Sequence, residues 1–349
     1  MSECHPVGEV TRKNELKIER DLPLIALAGQ PNMGKSTLFN LLTGLNQHVG
    51  NWPGKTIERR EGIFHDNGSS LRLIDLPGTY SLTANSPEEL IAREFILREQ
   101  PDLVIAVVSA ANLERSLYLV AELISLPTPL VVALNMMDVA ELEGYRIDVD
   151  VLQAALGVPV VPLVATRAQG VRELLQVVER VIKGEQVLMP RLPEIRADHQ
   201  QALKEIQSLI QGYVPPPYPL EWTALKLLEG DTELTRLMQE TLPPERWEAV
   251  HDVLRAHDDA LMAVASGRYE WINRLMRAAV ARPPVGQISL TERLDRWATH
   301  PVLGLGILAL ILGAVFWVTF TLGAPLQAWL ESEVVERLAT FAAAALAPA

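Results

Sequence analysis

The sequence has little of what would place it in several common classes of protein. Its 349 residues include one cysteine, Cys4, so no internal disulfide can form, and no cysteine and histidine spacing typical of a zinc site occurs. Acidic residues outnumber basic ones, and the formal net charge of −12 disfavours binding to phosphate backbones. These features exclude a disulfide scaffold, favour a reducing compartment and argue against a nucleic-acid binder.

The first half of the chain has the pattern of an α/β domain. Residues 1–21 lack the apolar stretch of a signal peptide, so we expect a flexible leader and no secretory export. Over residues 22–186 short apolar runs alternate with helical patterns, which is typical of a parallel sheet covered by helices on both faces. A helix is predicted from its N-cap Ser86 to about Glu99. The apolar runs are Leu24–Ala28, Leu71–Ile74, Leu103–Ser109, Leu130–Leu134 and Val158–Val164.

The next region is predicted to be helical. Residues 187–285 contain no further strand-like runs, and Pro215–Pro217 would interrupt any helix that reached them. We therefore expect a separate all-helical domain, followed by a juxtamembrane segment at 286–300. One amphipathic helix is indicated by the spacing of Trp247, Val250, Leu254, Leu261 and Val264.

A long apolar segment predicts one membrane crossing. Residues 301–330 contain no Asp, Glu, Lys, Arg or His, whereas about 20 apolar residues suffice to span a bilayer. We predict a transmembrane helix over Val302–Leu322; the alternative is a buried core helix, which is usually shorter. Arg293 and Arg296 precede the segment, so the positive-inside bias places the preceding domains in the cytoplasm. Residues 331–349 have the pattern of an amphipathic tail, and we expect the chain to be part of something longer.

A glycine-rich loop follows the first apolar run. It fits the pattern GxxxxGK[ST] and precedes a helical stretch from Thr37 to Leu42. In such a loop backbone N–H groups surround phosphates, Lys35 bridges the terminal phosphates and Ser36 ligates Mg²⁺. The predicted phosphate-binding residues are Gly29, Gln30, Pro31, Asn32, Met33, Gly34, Lys35 and Ser36.

A second motif supports this interpretation. Asp75-Leu76-Pro77-Gly78 follows the run Leu71–Ile74, which places the Asp75 carboxylate where it can hold the Mg²⁺ shell. Gly78 can then offer its N–H to a γ-phosphate. In isolation the alternative would be an ordinary turn.

Two further loops predict selection of guanine. Asn135-Met136-Met137-Asp138 ends an apolar run, and the Asp138 carboxylate can accept hydrogen bonds from the ring N–H and amine of guanine, a donor pair that adenine lacks. Ala165-Thr166-Arg167 follows the next run, where a backbone N–H would meet the guanine oxygen. Asn and Asp are also common in ordinary turns at the end of a strand. These two loops therefore support guanine binding only in combination with the glycine-rich loop and the Asp75 motif.

The segment between the first two motifs predicts a mobile switch. Val49–Glu58 contains glycines, a proline and one threonine, and Thr56 is the candidate second protein oxygen on Mg²⁺, ordered only with γ-phosphate present. The alternative is a solvated loop. Thr79 and Tyr80 follow Gly78, where a Ras-type enzyme carries a glutamine that orients the attacking water. Intrinsic hydrolysis should therefore be slow or should rely on another means of catalysis. The nucleotide contacts expected in the switch are Gly54, Lys55, Thr56, Ile57 and Glu58.

These motifs predict a Ras-like P-loop GTPase with a parallel-rich central sheet, then an all-helical domain and one transmembrane helix. GQPNMGKSTLFNLLTG, VGNWPGKTIERREG, DLPGTYSL, NLERSLYL and ALNMMDVAE, in this order, resemble the bacterial ferrous iron transporter B family. LKLLEGD at Leu225–Asp231 is similar to a family element, and the resemblance extends from Leu24 to Leu330. It implies a cytoplasmic GTPase domain, a helical linker that resembles a nucleotide-dissociation inhibitor, and a polytopic membrane domain that moves Fe²⁺. One helix cannot enclose an ion path, so we expect no iron transport by this chain alone.

The family also resembles potassium-activated GTPases. This resemblance implies K⁺ beside the phosphates, held by Asn32 and by the carbonyl groups of Gly50 and Trp52. Such a cation would neutralise transition-state charge as an arginine finger does. The alternative for Asn32 is a loop-stabilising side chain. Gln30 and Met33 stand where family members often carry Asn and Ser, and we expect an effect on nucleotide affinity and exchange with the phosphate, metal and guanine contacts intact.

The sequence therefore predicts a slow, K⁺-stimulated GTPase in the bacterial inner membrane, with its GTPase domain in the cytoplasm and coupled to Fe²⁺ uptake. Expected partners are GTP and GDP, the lipid bilayer, a second copy of the chain and small iron-transport accessory proteins. Two alternatives stay open: a nucleotide-sensing regulator with little catalysis, and a ribosome-assembly GTPase, which the acidic balance and the apolar span oppose. The candidate catalytic residues are Lys35, Thr56, Gly78 and Asn32, and the candidate Mg²⁺ ligands are Ser36, Thr56 and Asp75.

Overall fold

The computed structural model describes residues 22–281 except 45–46, 67–68 and 84–85, and also residues 297–300, 303–323, 325 and 329. The predicted leader at 1–21, most of the juxtamembrane segment and the tail at 331–349 lie outside the described residues. The chain forms two compact units, Met1–Pro283 and Pro284–Ala349, which are described separately.

A seven-stranded sheet forms the centre of the first unit, in the order β2-β3-β4-β1-β5-β6-β8. Five neighbouring strands of the sheet, β4, β1, β5, β6 and β8, are parallel. At its other edge β2 pairs antiparallel with β3, and β3 pairs antiparallel with β4. The predicted parallel-rich α/β fold is thus confirmed, although β8 is shorter than the predicted run Val158–Val164. The strands are β1 Leu24–Gly29, β2 Gln47–Asn51, β3 Glu58–Asp66, β4 Ser69–Asp75, β5 Leu103–Ser109, β6 Leu130–Asn135, β7 Arg146–Ile147, β8 Val160–Pro162 and β9 Val280–Ala281.

Helices cover both faces of this sheet, which explains why its central strands are apolar throughout. Leu24, Ala26 and Ala28 of β1 pack with α2 and α3, whereas Ile25 and Leu27 pack with α1 and α6 on the opposite face. The predicted start of α2 is confirmed, because the Ser86 hydroxyl accepts a hydrogen bond from the Glu89 N–H at 3.2 Å. These helices are α1 Lys35–Thr43, α2 Pro87–Glu99, α3 Leu113–Leu123, α4 Met137–Leu142, α5 Val149–Leu156 and α6 Val171–Ile182, with a 3₁₀ turn at Ala165–Arg167.

The helical region begins after α6 and packs against the sheet. It has a core of its own, yet Trp271 and Ile272 enter the hydrophobic cluster on the α2 and α3 face of the sheet. Its last helix ends in β9, which pairs with β7, so the expectation that strands stop after residue 187 was wrong at this point. The helices are α7 Ala197–Ile210, α8 Leu220–Leu228, α9 Thr232–Thr241, α10 Pro244–Ala256 and α11 Ala260–Ala279.

The predicted single helix from Trp247 to Val264 was also wrong. α10 ends at Ala256 and α11 begins at Ala260. The backbone leaves the helical conformation at His257, whose φ and ψ angles are −126° and 51°, and the His257 Nδ1 lies 3.0 Å from the Val253 carbonyl in the last turn of α10. Apolar periodicity continues across this short turn, so spacing alone could not reveal it.

The second unit contains one long apolar helix. α12 spans Leu303–Val318 and continues as a π-helical turn over Thr319–Gly323. Within the 21 residues from Leu303 to Gly323, an 18-residue stretch has a mean hydropathy of 2.4 and no buried side chains. Among the described residues, this is the one helix long and apolar enough to cross a membrane, and it covers the predicted span from Leu303 to Leu322, whereas Val302 lies outside the described residues.

Candidate functional site

The glycine-rich loop joins β1 to α1 at the carboxyl edge of the sheet. Asn32 and Gly34 have φ angles of 65° and 84°. A Cβ atom at Gly34 would lie 2.2 Å from Asn135 Nδ2, so this position requires glycine. α1 starts at Lys35, and the first N–H groups of a helix have no partner inside the helix. The loop therefore presents backbone donors and the positive end of a helix to an anion.

Two side chains of α1 meet the end of β4. The Lys35 amino group forms an ion pair with Asp75 and donates to the Leu76 carbonyl at 2.5 Å. The Ser36 hydroxyl lies 3.4 Å from the other Asp75 oxygen. The side chains of Lys35 and Asp75 are less than a tenth exposed. A hydroxyl and a carboxylate side by side are the oxygen ligands that Mg²⁺ prefers, so these residues fit the predicted ion.

The segment after Asp75 lies against the glycine-rich loop. A Cβ atom on Gly78 would be 3.1 to 3.3 Å from atoms of Pro31, and the Thr79 N–H donates to the Gly29 carbonyl at 3.2 Å. Thr79, which follows Gly78 directly, is only 2% exposed. The structure therefore brings Gly78 to the phosphate loop, and it buries the side chain of the residue after Gly78.

Asn135 connects three predicted elements of the site. Its Nδ2 donates to the Met33 carbonyl and its Oδ1 accepts from the Ala165 N–H, both at 3.0 Å. In the predicted guanine-closing turn, the Arg167 N–H donates to the Val164 carbonyl at 2.9 Å. Asp138 stands in the first turn of α4, with its carboxylate 3.8 Å from the Arg167 guanidinium.

The predicted switch segment is a β-hairpin. Val49–Asn51 belong to β2 and Glu58 begins β3, so the alternative of a solvated loop does not hold at these positions, and the mobile switch stays a prediction. The Trp52 N–H donates to the Ile57 carbonyl at 2.9 Å and closes the turn. The ring of Trp52 stabilises this hairpin, since it is buried and packs edge to face on Phe95 with centroids 5.5 Å apart.

The predicted potassium ligands are divided between the hairpin and the phosphate loop. Gly50 lies in β2, three strands from β1, which corresponds to about 14 Å in the sheet. The Trp52 carbonyl accepts from the Lys55 N–H at 3.0 Å. Thr56 is exposed in the turn, and the potassium set of Asn32, Gly50 and Trp52 stays a prediction.

A buried group of four charged residues lies between α3 and the helical region, and sequence reasoning missed it. We call Glu122, Lys226, Glu229 and Arg268 the interface cluster; their side chains are at most 6% exposed. Lys226 Nζ lies 2.8 Å from Glu229 and 3.5 Å from Glu122, and Arg268 lies 3.1 Å from Glu122 and pairs with Glu229. Burial acts to raise the pKa of Glu122, but Lys226 and Arg268 together with hydrogen bonds lower it below its usual value.

The interface cluster also holds the segment that follows Gly78. The Lys226 amino group donates to the Thr83 hydroxyl at 3.2 Å, and the Leu82 N–H donates to the Glu122 carboxylate. The sequence offered one signal, because Lys226 and Glu229 lie within the family-like stretch LKLLEGD. Their partners Glu122 and Arg268 are far away in the chain, so the sequence could not show that these charges are buried together.

A phosphate-type loop, an aspartate at the end of the neighbouring strand and a guanine-type loop, all at the carboxyl edge of a parallel sheet, define a Ras-like P-loop GTPase domain. The family model described as Ferrous iron transport protein B matches residues 24–178, and the one described as FeoB cytosolic helical domain matches residues 197–281. The chain belongs to the FeoB family of ferrous iron transport proteins.

Curated relatives extend beyond the aligned region. The Fe(2+) transporter FeoB of Escherichia coli (strain K12) is 39% identical over 311 residues, which is 87% of this chain and 39% of that protein. A Fe(2+) transport protein A/Fe(2+) transporter FeoB fusion protein of Porphyromonas gingivalis is 34% identical over 348 residues, 95% of this chain and 41% of that protein. The chain thus spans about two fifths of the length of these relatives.

Solved structures of relatives share the fold. A mutant of S. thermophilus NFeoB bound to GDP is 35% identical with a TM-score of 0.68, and the alignment covers 74% of this chain and all of that one. The cytosolic domain of L. pneumophila FeoB is 33% identical with a TM-score of 0.66 at the same coverage. The first of these structures holds a guanine nucleotide, in agreement with the motifs of this chain.

Proposed function

We propose that this chain is the GTP-binding and GTP-hydrolysing cytoplasmic portion of a Fe²⁺ transporter of the bacterial inner membrane, together with its first membrane helix. The observation that carries the proposal is the convergence of Lys35, Ser36 and Asp75 beside a glycine-rich loop that Asn135 ties in place. We take the identity of the transported ion from the names of the relatives. We assign the remaining membrane domain to the part of their length that this chain does not cover.

The proposed roles follow from position. Backbone N–H groups of residues 29–36 and the Lys35 amino group hold the β- and γ-phosphates, and Gly78 donates to the γ-phosphate. Ser36 and Asp75 hold Mg²⁺, which when bound neutralises phosphate charge, and Thr56 joins them after the hairpin turn moves inward. The Ala165 and Arg167 N–H groups donate inside the protein, so the Thr166 N–H is our candidate donor to the guanine oxygen.

Hydrolysis is proposed to be slow and stimulated by K⁺. The buried Thr79 supports a low intrinsic rate, because its side chain is not available to orient water. A cation bound beside Asn32 would supply the transition-state charge that an arginine finger provides elsewhere. Its carbonyl ligands Gly50 and Trp52 would require the hairpin to approach the phosphate loop.

The helical region at 187–285 is proposed to be a linker that restrains nucleotide exchange in the GTPase domain at 22–186. The interface cluster supports this role, since Lys226 of α8 contacts Thr83 of the segment after Gly78. The pairing of β7 with β9 adds a second connection, because β9 is the last described strand before the apolar unit. A change at the nucleotide edge would reach the membrane-leading end of the chain through these contacts.

Guanine selection gives a sharp test of the site. Xanthine carries an oxygen where guanine has its exocyclic amine, so an amide donor at residue 138 suits xanthine and a carboxylate suits guanine. In the full chain in detergent, we expect Asp138→Asn to weaken GDP binding and to strengthen binding of xanthosine diphosphate, as measured with fluorescent nucleotides. Equal preference in wild type and variant would contradict the assignment.

Turnover is tested by GTP hydrolysis in K⁺ and in Na⁺. We expect faster hydrolysis in K⁺, lost in Asn32→Ala, with GDP binding retained. Equally slow single turnover in both salts would remove the cation mechanism and favour the alternative function, a nucleotide-sensing regulator in which binding rather than turnover acts on the transporter.

A further inference from the structure

The first turn of α3 contacts the phosphate loop at two points. The Gln30 side chain is only 2% exposed, and its Nε2 donates to the Arg115 carbonyl at 2.8 Å. One residue further along, the Ser116 hydroxyl lies 3.7 Å from the Met33 sulfur. The phosphate loop is thus fastened to α3 by side chains that no role in nucleotide contact requires.

The side chain of Arg115 makes a third contact from the same turn. Its guanidinium carbon lies 4.7 Å from the centre of the Tyr80 ring, within the range of a cation–π interaction. Tyr80 stands two residues after Gly78 and is 46% exposed. Arg115 therefore holds the phosphate loop through its backbone and the segment after Gly78 through its side chain.

The ring of Tyr80 lies at the edge of a cavity. Tyr80 and Arg115 line this space of about 590 Å³, whose other wall includes Tyr269, Met276 and Val280. A ring at the edge of a cavity can leave its position without displacing packed neighbours, so its contact with Arg115 has a large influence on where the segment rests.

The position of Gly78 affects the binding of GTP and not that of GDP. Gly78 is the proposed donor to the γ-phosphate, which GTP carries and GDP lacks. A contact that fixes the segment after Gly78 relative to the phosphate loop therefore acts on the affinity for GTP and leaves that for GDP unchanged.

We propose that Gln30, Arg115 and Tyr80 form a positioning relay that holds Gly78 in place for a γ-phosphate, and that these three side chains set the preference for a nucleoside triphosphate over a diphosphate. The inference rests on the proposed GTP-binding function. Arg115 and Tyr80 act here through Gly78, without touching the nucleotide.

The test measures the affinities of a fluorescent GDP and of a non-hydrolysable GTP analogue on the full chain in detergent. The variants are Arg115→Leu, which removes the guanidinium and keeps the backbone carbonyl that Gln30 binds, and Tyr80→Leu, which removes the ring. Tyr80→Phe keeps the ring, and Arg172→Lys on the exposed side of α6 is a matched control remote from the relay.

We expect Tyr80→Leu and Arg115→Leu each to weaken binding of the analogue about two- to fivefold with GDP affinity unchanged, as expected for the loss of an exposed cation–π contact. The double variant should lose no more than the larger single loss, because both substitutions break one relay. Tyr80→Phe and Arg172→Lys should match the wild type.

Two outcomes would overturn the relay: equal losses for both nucleotides, which a general loosening of the site would produce, or losses in the double variant that add. A wild-type chain that binds neither nucleotide would instead refute the proposed function, so the two failures are distinguishable.

Discussion

Two buried lysine–carboxylate pairs in this protein have similar chemistry and different surroundings. Lys226 donates to Glu229 and Thr83, contacts Glu122, and belongs to a group that Arg268 completes. Lys35 pairs with Asp75 at the start of a helix, beside the glycine-rich loop. The first pair is satisfied entirely by protein groups and holds two regions together. The second lies where an anion can replace the carboxylate as partner of the lysine, which suits a binding site.

The comparison predicts its largest effect in the interface cluster. Glu122→Ala leaves the buried cations Lys226 and Arg268 with one carboxylate between them, and breaking a buried pair in this way costs about 3–5 kcal/mol. We expect this loss in the free energy of unfolding, measured by urea denaturation of the full chain in detergent.

An exposed ion pair provides the matched control. Glu240 pairs with Arg236 at 3.0 Å on α9, and both side chains are more than half exposed. Glu240→Ala should change the free energy of unfolding by less than about 0.5 kcal/mol. A loss of similar size in the two variants would refute the claim that the interface cluster is a structural element.

The nucleotide edge should respond in the opposite way. Lys35→Ala removes a charge-assisted partner of the phosphates, which is worth about 1.5–3 kcal/mol of binding, or roughly ten- to 150-fold in GDP affinity. The control Lys183→Ala alters a lysine that directly follows α6 and is 56% exposed, and it should leave GDP affinity unchanged. The comparison fails if Lys35→Ala unfolds the chain as strongly as Glu122→Ala while GDP affinity stays the same.

The parts of the fold that local chemistry determines could be predicted from the sequence. β1 and β5 are fully buried strands with uninterrupted apolar sequences, and Ser86 with Pro87 starts a helix through its own side chain. The position of Asp75 followed for the same reason, since the last residue of a parallel strand lies at the carboxyl edge of the sheet.

The parts that distant contacts determine could not be predicted. The hairpin of β2 and β3 depends on Trp52 packing on Phe95 of α2, and the interface cluster joins residues more than a hundred positions apart. Gln30 and Met33 depart from the usual residues of the family. Only the structure shows that both face the first turn of α3.

A third group of charges sharpens the comparison between the two pairs because it is partly exposed. Asp198 lies 2.9 Å from the His199 ring and 2.6 Å from Arg196 at the start of α7. Desolvation acts to raise the pKa of Asp198, but hydrogen bonds from His199 and Arg196 outweigh it and lower the pKa to about 2 from the ordinary 3.8.

The smallest predicted effect follows from this lowered pKa. The native carboxylate stays ionised at a pH where the unfolded one is protonated, so its contribution to stability is complete above pH 3.8 and is lost as the pH falls towards 2. Asp198→Asn should therefore reduce the slope of the urea midpoint against pH in this window. Salt at about 0.5 M should shrink the difference, because exposed charges are screened, whereas the effect of Glu122→Ala should persist. If the slope of the urea midpoint below pH 3.8 is the same in Asp198→Asn as in the wild type, then this group, unlike the interface cluster, does not stabilise the fold.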